Sequence, residues 1–187
     1  MRLFVAVNLP DEVRRAIWQS TSTMRSSGFP VRWVSAESIH LTLKFLGEVH
    51  QSLEPQVVSA MESAVVGTRE FALSLSGFGA FPNPHRPRVV WLGCARVAAL
   101  ELLQHRIEEE MKAIGFPLEG RPFRPHFTLG RARREARATD WHGFDRILHQ
   151  AAFTAVATVN TIDLMQSELS RTGARYSKRH EAGLSGL

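Results

Sequence analysis

One cysteine, one tyrosine and three lysines among 187 residues set the first limits on this chain. The lone thiol, Cys94, excludes an internal disulfide framework and any zinc or iron–sulfur site built from several cysteines. Long hydrophobic runs are missing too: no stretch approaches the ~18–20 apolar residues that cross a bilayer as a helix. The apolar segment Leu3–Leu9 is too short for the core of a secretory leader and runs into Pro10-Asp11-Glu12 with no small-residue cleavage site. These absences give the expectation of a reduced, soluble, cytoplasmic protein with no membrane partner. The shortage of lysine has a different meaning. With 23 Lys and Arg against 18 Asp and Glu, the formal charge of +5 rests almost wholly on arginine. The planar guanidinium grips phosphate bidentately, where lysine offers only a point charge. A codon bias toward arginine yields the same composition, so the charge permits a phosphate or nucleic-acid ligand without establishing one.

Hydrophobic residues make up 44% of the chain and charged residues 22%, the balance of a sequence that buries a core. Residues 1–187 fit a single domain of two lobes, since no linker is long enough to separate independent units. Strands are expected at Arg2–Leu9, Arg32–Val34, Ser38–Leu46, Phe71–Leu75, Arg88–Gly93, Arg124–Leu129, Ala151–Thr158, Thr161–Leu169 and Ala174–His180. Helices are expected from Asp11 to Ser26, over Gln51–Val66 and over Ala95–Ile114. Several neighbouring strands have connections too short for parallel crossovers. The expected class is therefore α+β, with largely antiparallel sheets and helices on one face of each.

One internal repeat stands out: His40-Leu41-Thr42-Leu43 and His126-Phe127-Thr128-Leu129. Given the composition, such a pair arises by chance about once in a thousand sequences, which guards against the weakness of any single short motif. The copies lie 86 residues apart, one in each half of the chain, and this spacing suggests two similar lobes meeting across a pseudo-two-fold axis. In a strand, His40 and Thr42 share one face while Ile39, Leu41 and Leu43 share the other; His126 and Thr128 likewise oppose Phe127 and Leu129. Facing lobes would bring two imidazoles and two hydroxyls to one cleft. Two histidines flanking a phosphorus suit an in-line displacement, one taking a proton from the attacking oxygen and the other giving one to the leaving oxygen. An ordinary pKa near 6.5 lets both protonation states coexist close to neutrality. The threonine hydroxyls can bond the non-bridging oxygens, where charge builds up. This chemistry needs no metal and no cofactor. A two-histidine metal site is the competing reading; its nearest carboxylates are Glu37 and Glu48, and it leaves both threonines unexplained.

The extended segments His40-Leu41-Thr42-Leu43-Lys44-Phe45-Leu46-Gly47 and Arg124-Pro125-His126-Phe127-Thr128-Leu129-Gly130-Arg131 resemble the paired signatures of the 2H phosphoesterase superfamily. More closely, they resemble its bacterial and archaeal RNA 2′,3′-cyclic phosphodiesterases, also called 2′-5′ RNA ligases. The likeness takes in the opening RLFVAVNLP, the segment from Phe81-Pro82 through Arg88–Gly93, and the closing Leu164–Leu169 with Gly173 and Tyr176. It implies a bilobal α+β fold with the site between the lobes, and metal-independent opening of a 2′,3′-cyclic phosphate to a 2′-phosphomonoester. The implied substrate is an RNA with a 2′,3′-cyclic phosphate terminus or a cyclic nucleotide. Joining of a 5′-hydroxyl into a 2′-5′ bond is a weaker side activity, because water outcompetes an RNA hydroxyl.

By the same resemblance His40 and His126 are the acid–base pair and Thr42 and Thr128 hold the phosphate. Phe45 stacks on the terminal nucleobase and Arg131 contacts the phosphate. Taking His40 as the acid and His126 as the base is the preferred order, although sequence alone does not order them. Strict alternation raises an objection, since it puts Phe45 and Arg131 on the face opposite the histidines; a twist or bulge at the strand end would have to redirect them. Alternation instead gives Lys44 to the His40 face, as an exposed strand-edge lysine. The basic run Arg131–Arg137 reads as a guide for an RNA backbone or as a solvated loop, and His85-Arg86-Pro87-Arg88 as a second phosphate contact or as a surface loop without function. His50, His105, His142, His149 and His180 match no motif. Cys94 is expected to be buried and inert, and Trp18, Trp91 and Trp141 to pack in the interior; only Trp33 is placed near the cleft. Nothing in the sequence demands a dimer, so a monomer is expected. A non-catalytic RNA- or nucleotide-binding module using the same cleft is the alternative, and the intact histidines and threonines count against it.

Overall fold

The computed structural model describes residues 1–170 and 173–185. β1 (Arg2–Asn8) is buried from Leu3 to Val7, as an unbroken apolar run should be when both faces of a strand are covered. Pro10 and the acids Asp11 and Glu12 open α1 (Asp11–Ser20), the acids lying against the positive end of the helix. The helix expected to reach Ser26 stops sooner. At Thr21 the hydroxyl bonds back to the Trp18 carbonyl, a competition that bends helices, and the chain restarts as the short α2 (Ser22–Ser26). β2 (Val31–Trp33), a 3₁₀ turn at Ala36–Ser38, β3 (His40–Glu48) and α3 (Glu54–Val65) follow. β4 (Phe71–Phe81) continues past the expected end at Leu75, because Gly77 takes a φ of 78° and carries an irregularity in the pairing without ending the strand. Next come β5 (Val89–Cys94), α4 (Ala98–Ala113) and β6 (His126–Ala132). The stretch read as a bare arginine-rich connection holds α5 (Phe144–Gln150), whose seven residues bury Phe144 and Leu148 but are too few to display a period. β7 (Thr154–Val159), β8 (Thr161–Ser170) and β9 (Gly173–Gly183) complete the chain.

The strands form one sheet in the order β7-β4-β5-β6-β3-β1-β8-β9, with β2 added beside β6. Every neighbouring pair is antiparallel. Its centre is narrow: β3 and β6 pair only at Leu41 and Phe127, one residue after each histidine. Along that order four strands stand on either side of this junction, with β2 as the ninth beside β6, so the two halves expected from the repeat are present and their sheets are joined. One half takes its strands β4 to β7 from a single stretch of chain, whereas in the other β8 and β9 return from the C-terminal region to complete the sheet of β1 and β3. One apolar core serves both. Leu41 and Leu43 of β3 and Phe127 and Leu129 of β6 meet Leu100, Leu103, Ile107 and Met111 of α4 and Val57 and Met61 of α3. α3 and α4 thus cover one face of the junction and leave the other for the histidines.

The two central strands share an irregularity that the alternation rule missed. Along β3, Ala6 pairs with Thr42 and Val5 with Lys44, so Leu43 is an extra residue. Along β6, Trp91 pairs with Thr128 and Val90 with Gly130, so Leu129 is the extra one. A bulge lets two successive residues point the same way and inverts the alternation beyond it. Leu43 and Lys44 are accordingly both buried, as are Leu129 and Gly130. Lys44 is therefore not the exposed edge lysine that alternation gives. Its ammonium donates to Glu108 Oε2 at 2.6 Å and to the Pro117 carbonyl at 2.8 Å, with 3% of the lysine side chain and 9% of the glutamate exposed. Glu108 also accepts from the Glu119 backbone N–H and from Gln104. This buried network ties β3 to α4 and to the loop that leads into β6.

Removing one partner of such a pair leaves a charge without compensation in the interior. Glu108→Ala is expected to destabilise the fold by ~3–5 kcal/mol, whereas Lys44→Met combined with Glu108→Leu recovers most of that loss. Urea denaturation of the three proteins checks this.

Candidate active site

β3 and β6 present their histidines in the same way. The His40 Nδ1 lies 2.8 Å from the Ser38 carbonyl and the His126 Nδ1 2.6 Å from the Arg124 carbonyl, each two residues upstream. A carbonyl oxygen only accepts, so Nδ1 carries the proton in both rings and Nε2 is the nitrogen left to titrate. Among the described residues, neither Nε2 has a hydrogen-bond partner, and neither do the hydroxyls of Thr42 and Thr128. Two imidazoles and two hydroxyls with spare hydrogen-bonding capacity thus line the junction on the face away from α3 and α4.

Beyond the bulges, Phe45 and Arg131 come back to that face. Phe45 is 60% exposed, and its ring lies 6.0 Å from Phe4, which is in turn 4.8 Å from the His40 ring. The Arg131 guanidinium is close enough to both histidines to disfavour their charged forms. The objection raised by strict alternation is thereby answered: the extra residue in each strand moves Phe45 and Arg131 to the histidine side and sends Lys44 and Gly130 to the other. At Gly130 a Cβ would meet Val31 Cγ1 at 2.5 Å and Trp33 Cε3 at 3.1 Å, so glycine is what the packing there admits. Trp33 accordingly lies on the core side and does not border the site as expected. Trp91 does lie on the histidine face, directly opposite Thr128, with its indole in the space that a Cβ of Gly79 would fill.

Each histidine has an aromatic ring edge-on to it. Tyr176 of β9 lies 5.1 Å from His40, and Phe81 of β4 lies 5.1 Å from His126. Around His40 this wall continues with Phe4, Ala6 and Met165, all buried. Burial in that surrounding lowers the His40 pKa to about 4; the Ser38 carbonyl opposes the shift, and the charges of Arg131, Arg14 and His126 reinforce it. The contribution from His126 places the two rings within electrostatic reach of each other. The His126 pKa is also lowered, first by burial and then by Arg131, against the pull of the Arg124 carbonyl. Both imidazoles are therefore neutral at pH 7 in the free protein.

Motif reading did not select several neighbours of this site. Asn8 pairs with His40 across the ladder and donates to the buried Asp163 at 2.6 Å, and Lys178 lies 3.0 Å from the other oxygen of that carboxylate. Arg14 of α1 donates to the Glu37 carbonyl, in the turn whose next residue, Ser38, orients His40. Asn8, Arg14, Met165 and Tyr176 also border a polar depression of about 710 Å³. These residues come from distant parts of the chain and carry no common spacing; Asn8, Met165 and Tyr176 lie in the family-like opening and closing segments, whereas Arg14, Asp163 and Lys178 had no signal. Among the described residues no three His, Cys, Asp or Glu side chains are grouped to hold a metal ion. Cys94 is half-buried at the end of β5, where burial pushes its thiol up to about 11, in keeping with an unreactive thiol. No helix among the described residues is long and apolar enough to cross a membrane.

The chain is similar to known proteins in sequence and in fold. An RNA 2′,3′-cyclic phosphodiesterase of Thermotoga maritima is 30% identical over 187 residues, covering 100% of this chain and 97% of that protein. Among solved structures, TT0787 of Thermus thermophilus superposes with a TM-score of 0.82 at 28% identity, over 100% of this chain and 99% of that one. Escherichia coli LigT complexed with 3′-AMP does so with a TM-score of 0.79 at 28% identity, over 98% of each chain. The family profile described as the 2′-5′ RNA ligase superfamily matches residues 10–171, a span that includes both His-x-Thr strands and the junction between them. The chain belongs to the 2′-5′ RNA ligase superfamily.

Proposed function

We propose that this protein hydrolyses RNA 2′,3′-cyclic phosphate ends to 2′-phosphomonoesters by metal-independent acid–base catalysis. The observation that carries the reading is the matched pair of His-x-Thr strands, each with a free Nε2 and a free hydroxyl on one face beside Arg131. The relative in Thermotoga maritima bears the name of that activity. Water attacks phosphorus in line with the 3′ oxygen; His126 takes the water proton, the P–O3′ bond breaks, and His40 gives its proton to O3′. The product carries a 2′-phosphate and a 3′-hydroxyl. Thr42 and Thr128 donate to the non-bridging oxygens, Arg131 balances their charge, and Phe45 stacks on the terminal base. With an RNA 5′-hydroxyl in place of water, the same displacement leaves a 2′-5′ bond as a minor product.

The assignment of acid and base follows from strength. The more deeply desolvated imidazole, His40, has the lower pKa, so its cation is the stronger acid toward a departing alkoxide. An arriving phosphate anion favours the imidazolium form and supplies the charge state that the free protein lacks. The reading extends to one bilobal domain over residues 1–187, acting as a cytoplasmic monomer on RNA ends or cyclic nucleotides. A single desolvated thiol and a core shared by the two halves support it.

Incubation of an RNA ending in 2′,3′-cyclic phosphate with excess EDTA is expected to yield the 2′-phosphate. Turnover only after a divalent ion is restored would favour the metal reading, and no turnover in either condition would favour a binding module. His40→Ala and His126→Ala are each expected to lower kcat by ~10²–10⁴ with an unchanged circular dichroism spectrum. A substrate with sulfur at the 3′ bridging position, a leaving group that departs without a proton, should restore His40→Ala and leave His126→Ala impaired. One histidine must be neutral and the other charged, so kcat/KM is bell-shaped in pH. Both pKa values of the free protein lie below 6.5 and one is about 4, so its optimum falls on the acid side of 6.5. The bound anion raises both values, so the kcat optimum lies at higher pH than that of kcat/KM.

A further inference from the structure

We propose that Arg32 is a second phosphate-binding residue, which holds the phosphodiester one nucleotide upstream of the reacting cyclic phosphate and makes the site favour RNA chains over mononucleotides. This rests on the reading of the junction as a cyclic phosphodiesterase site. In the β2–β6 pairing Arg32 lies directly opposite Arg131, a position at which Cβ atoms are about 4.5–5.5 Å apart. The face is fixed by Gly130, whose absent Cβ would run into the side chains of Val31 and Trp33. Those two residues flank Arg32 and point to the core side, so Arg32 points the other way, to the face of His126, Thr128 and Arg131.

Two like charges opposite each other in a ladder are destabilising unless something offsets them. Nothing among the described residues does so here. Arg32 and Arg131 are both exposed, and neither side chain makes an ion pair or a hydrogen bond with a described residue. Arg14, Arg96 and Arg179 are each paired with a carboxylate, while other exposed arginines such as Arg2 and Arg133 also have no described side-chain partner. Arg32 and Arg131 differ from those in standing opposite each other in a ladder. An anion between or above the two guanidinium groups is the missing complement, and a phosphodiester suits their planar donor pattern. Arg131 is the member of the pair whose charge reaches both imidazoles, so it serves the reacting phosphate and leaves Arg32, on β2 along the same edge of β6 that β3 pairs with, to the next. A mononucleotide cyclic phosphate has no second phosphate for Arg32 to hold.

Steady-state kinetics on 2′,3′-cyclic AMP and on a diadenosine dinucleotide ending in 2′,3′-cyclic phosphate separate these roles. For Arg32→Gln, kcat/KM on the dinucleotide is expected to fall roughly tenfold or more, through KM, as befits loss of a charge-assisted contact. The fall on cyclic AMP should be several-fold smaller. The slope of log kcat/KM against log salt for the dinucleotide should become shallower by about 0.7, and Arg32→Lys should restore most of it. Equal losses on both substrates, or no loss on the dinucleotide in a folded variant, would overturn the role of Arg32 while leaving the phosphodiesterase reading intact. If the unmodified protein turns over neither substrate, that reading fails and the Arg32 assignment falls with it.

Discussion

An extra residue in each central strand, Leu43 in β3 and Leu129 in β6, decides where the neighbouring side chains go. A regular strand would send the third residue beyond each threonine to the core and the second to the histidine face; the bulge inverts this. The interior then receives Lys44 on one side and Gly130 on the other, and each is accommodated by its own means: a buried carboxylate for the lysine, close packing by Val31 and Trp33 for the glycine. The histidine face receives Phe45 and Arg131. One local irregularity, repeated, thus yields a site that is symmetric in its histidines and threonines and asymmetric in what surrounds them, with an aromatic ring at one end and a cation at the other.

That asymmetry extends to the electrostatics. His40 sits in an apolar wall of Phe4, Met165 and Tyr176 and lies under two arginine charges, whereas His126 has Phe81 beside it and feels Arg131 alone. Equivalent backbone anchors, the carbonyls of Ser38 and Arg124, fix the same tautomer in both rings. The backbone makes the histidines alike and the side chains around them make them different, which suits a reaction that needs one of each protonation state.

Much of this was legible in the chain. The His-x-Thr-Leu repeat identified both strands, and the apolar residues between the polar ones marked the face that α3 and α4 cover. The fates of Lys44, Phe45 and Arg131 were misread by alternation, because a bulge is a matter of pairing between strands and has no period within one of them. Arg14 escaped notice, and Asn8 and Phe81 were seen only as parts of family-like segments with no role assigned, because all three reach the histidines through contacts from other elements. The early stop of α1 at Thr21 and the presence of α5 were missed because a hydroxyl back-bond and a seven-residue helix are weak signals beside a long apolar period.

The scarcity of tyrosine has a practical consequence. The chain contains a single tyrosine, and the fold places it edge-on against His40, 5.1 Å away. A fluorinated tyrosine incorporated throughout the protein would therefore give one ¹⁹F resonance, originating beside the more desolvated of the two histidines. The composition that first served only to narrow the possibilities leaves the protein with a built-in reporter of charge beside His40.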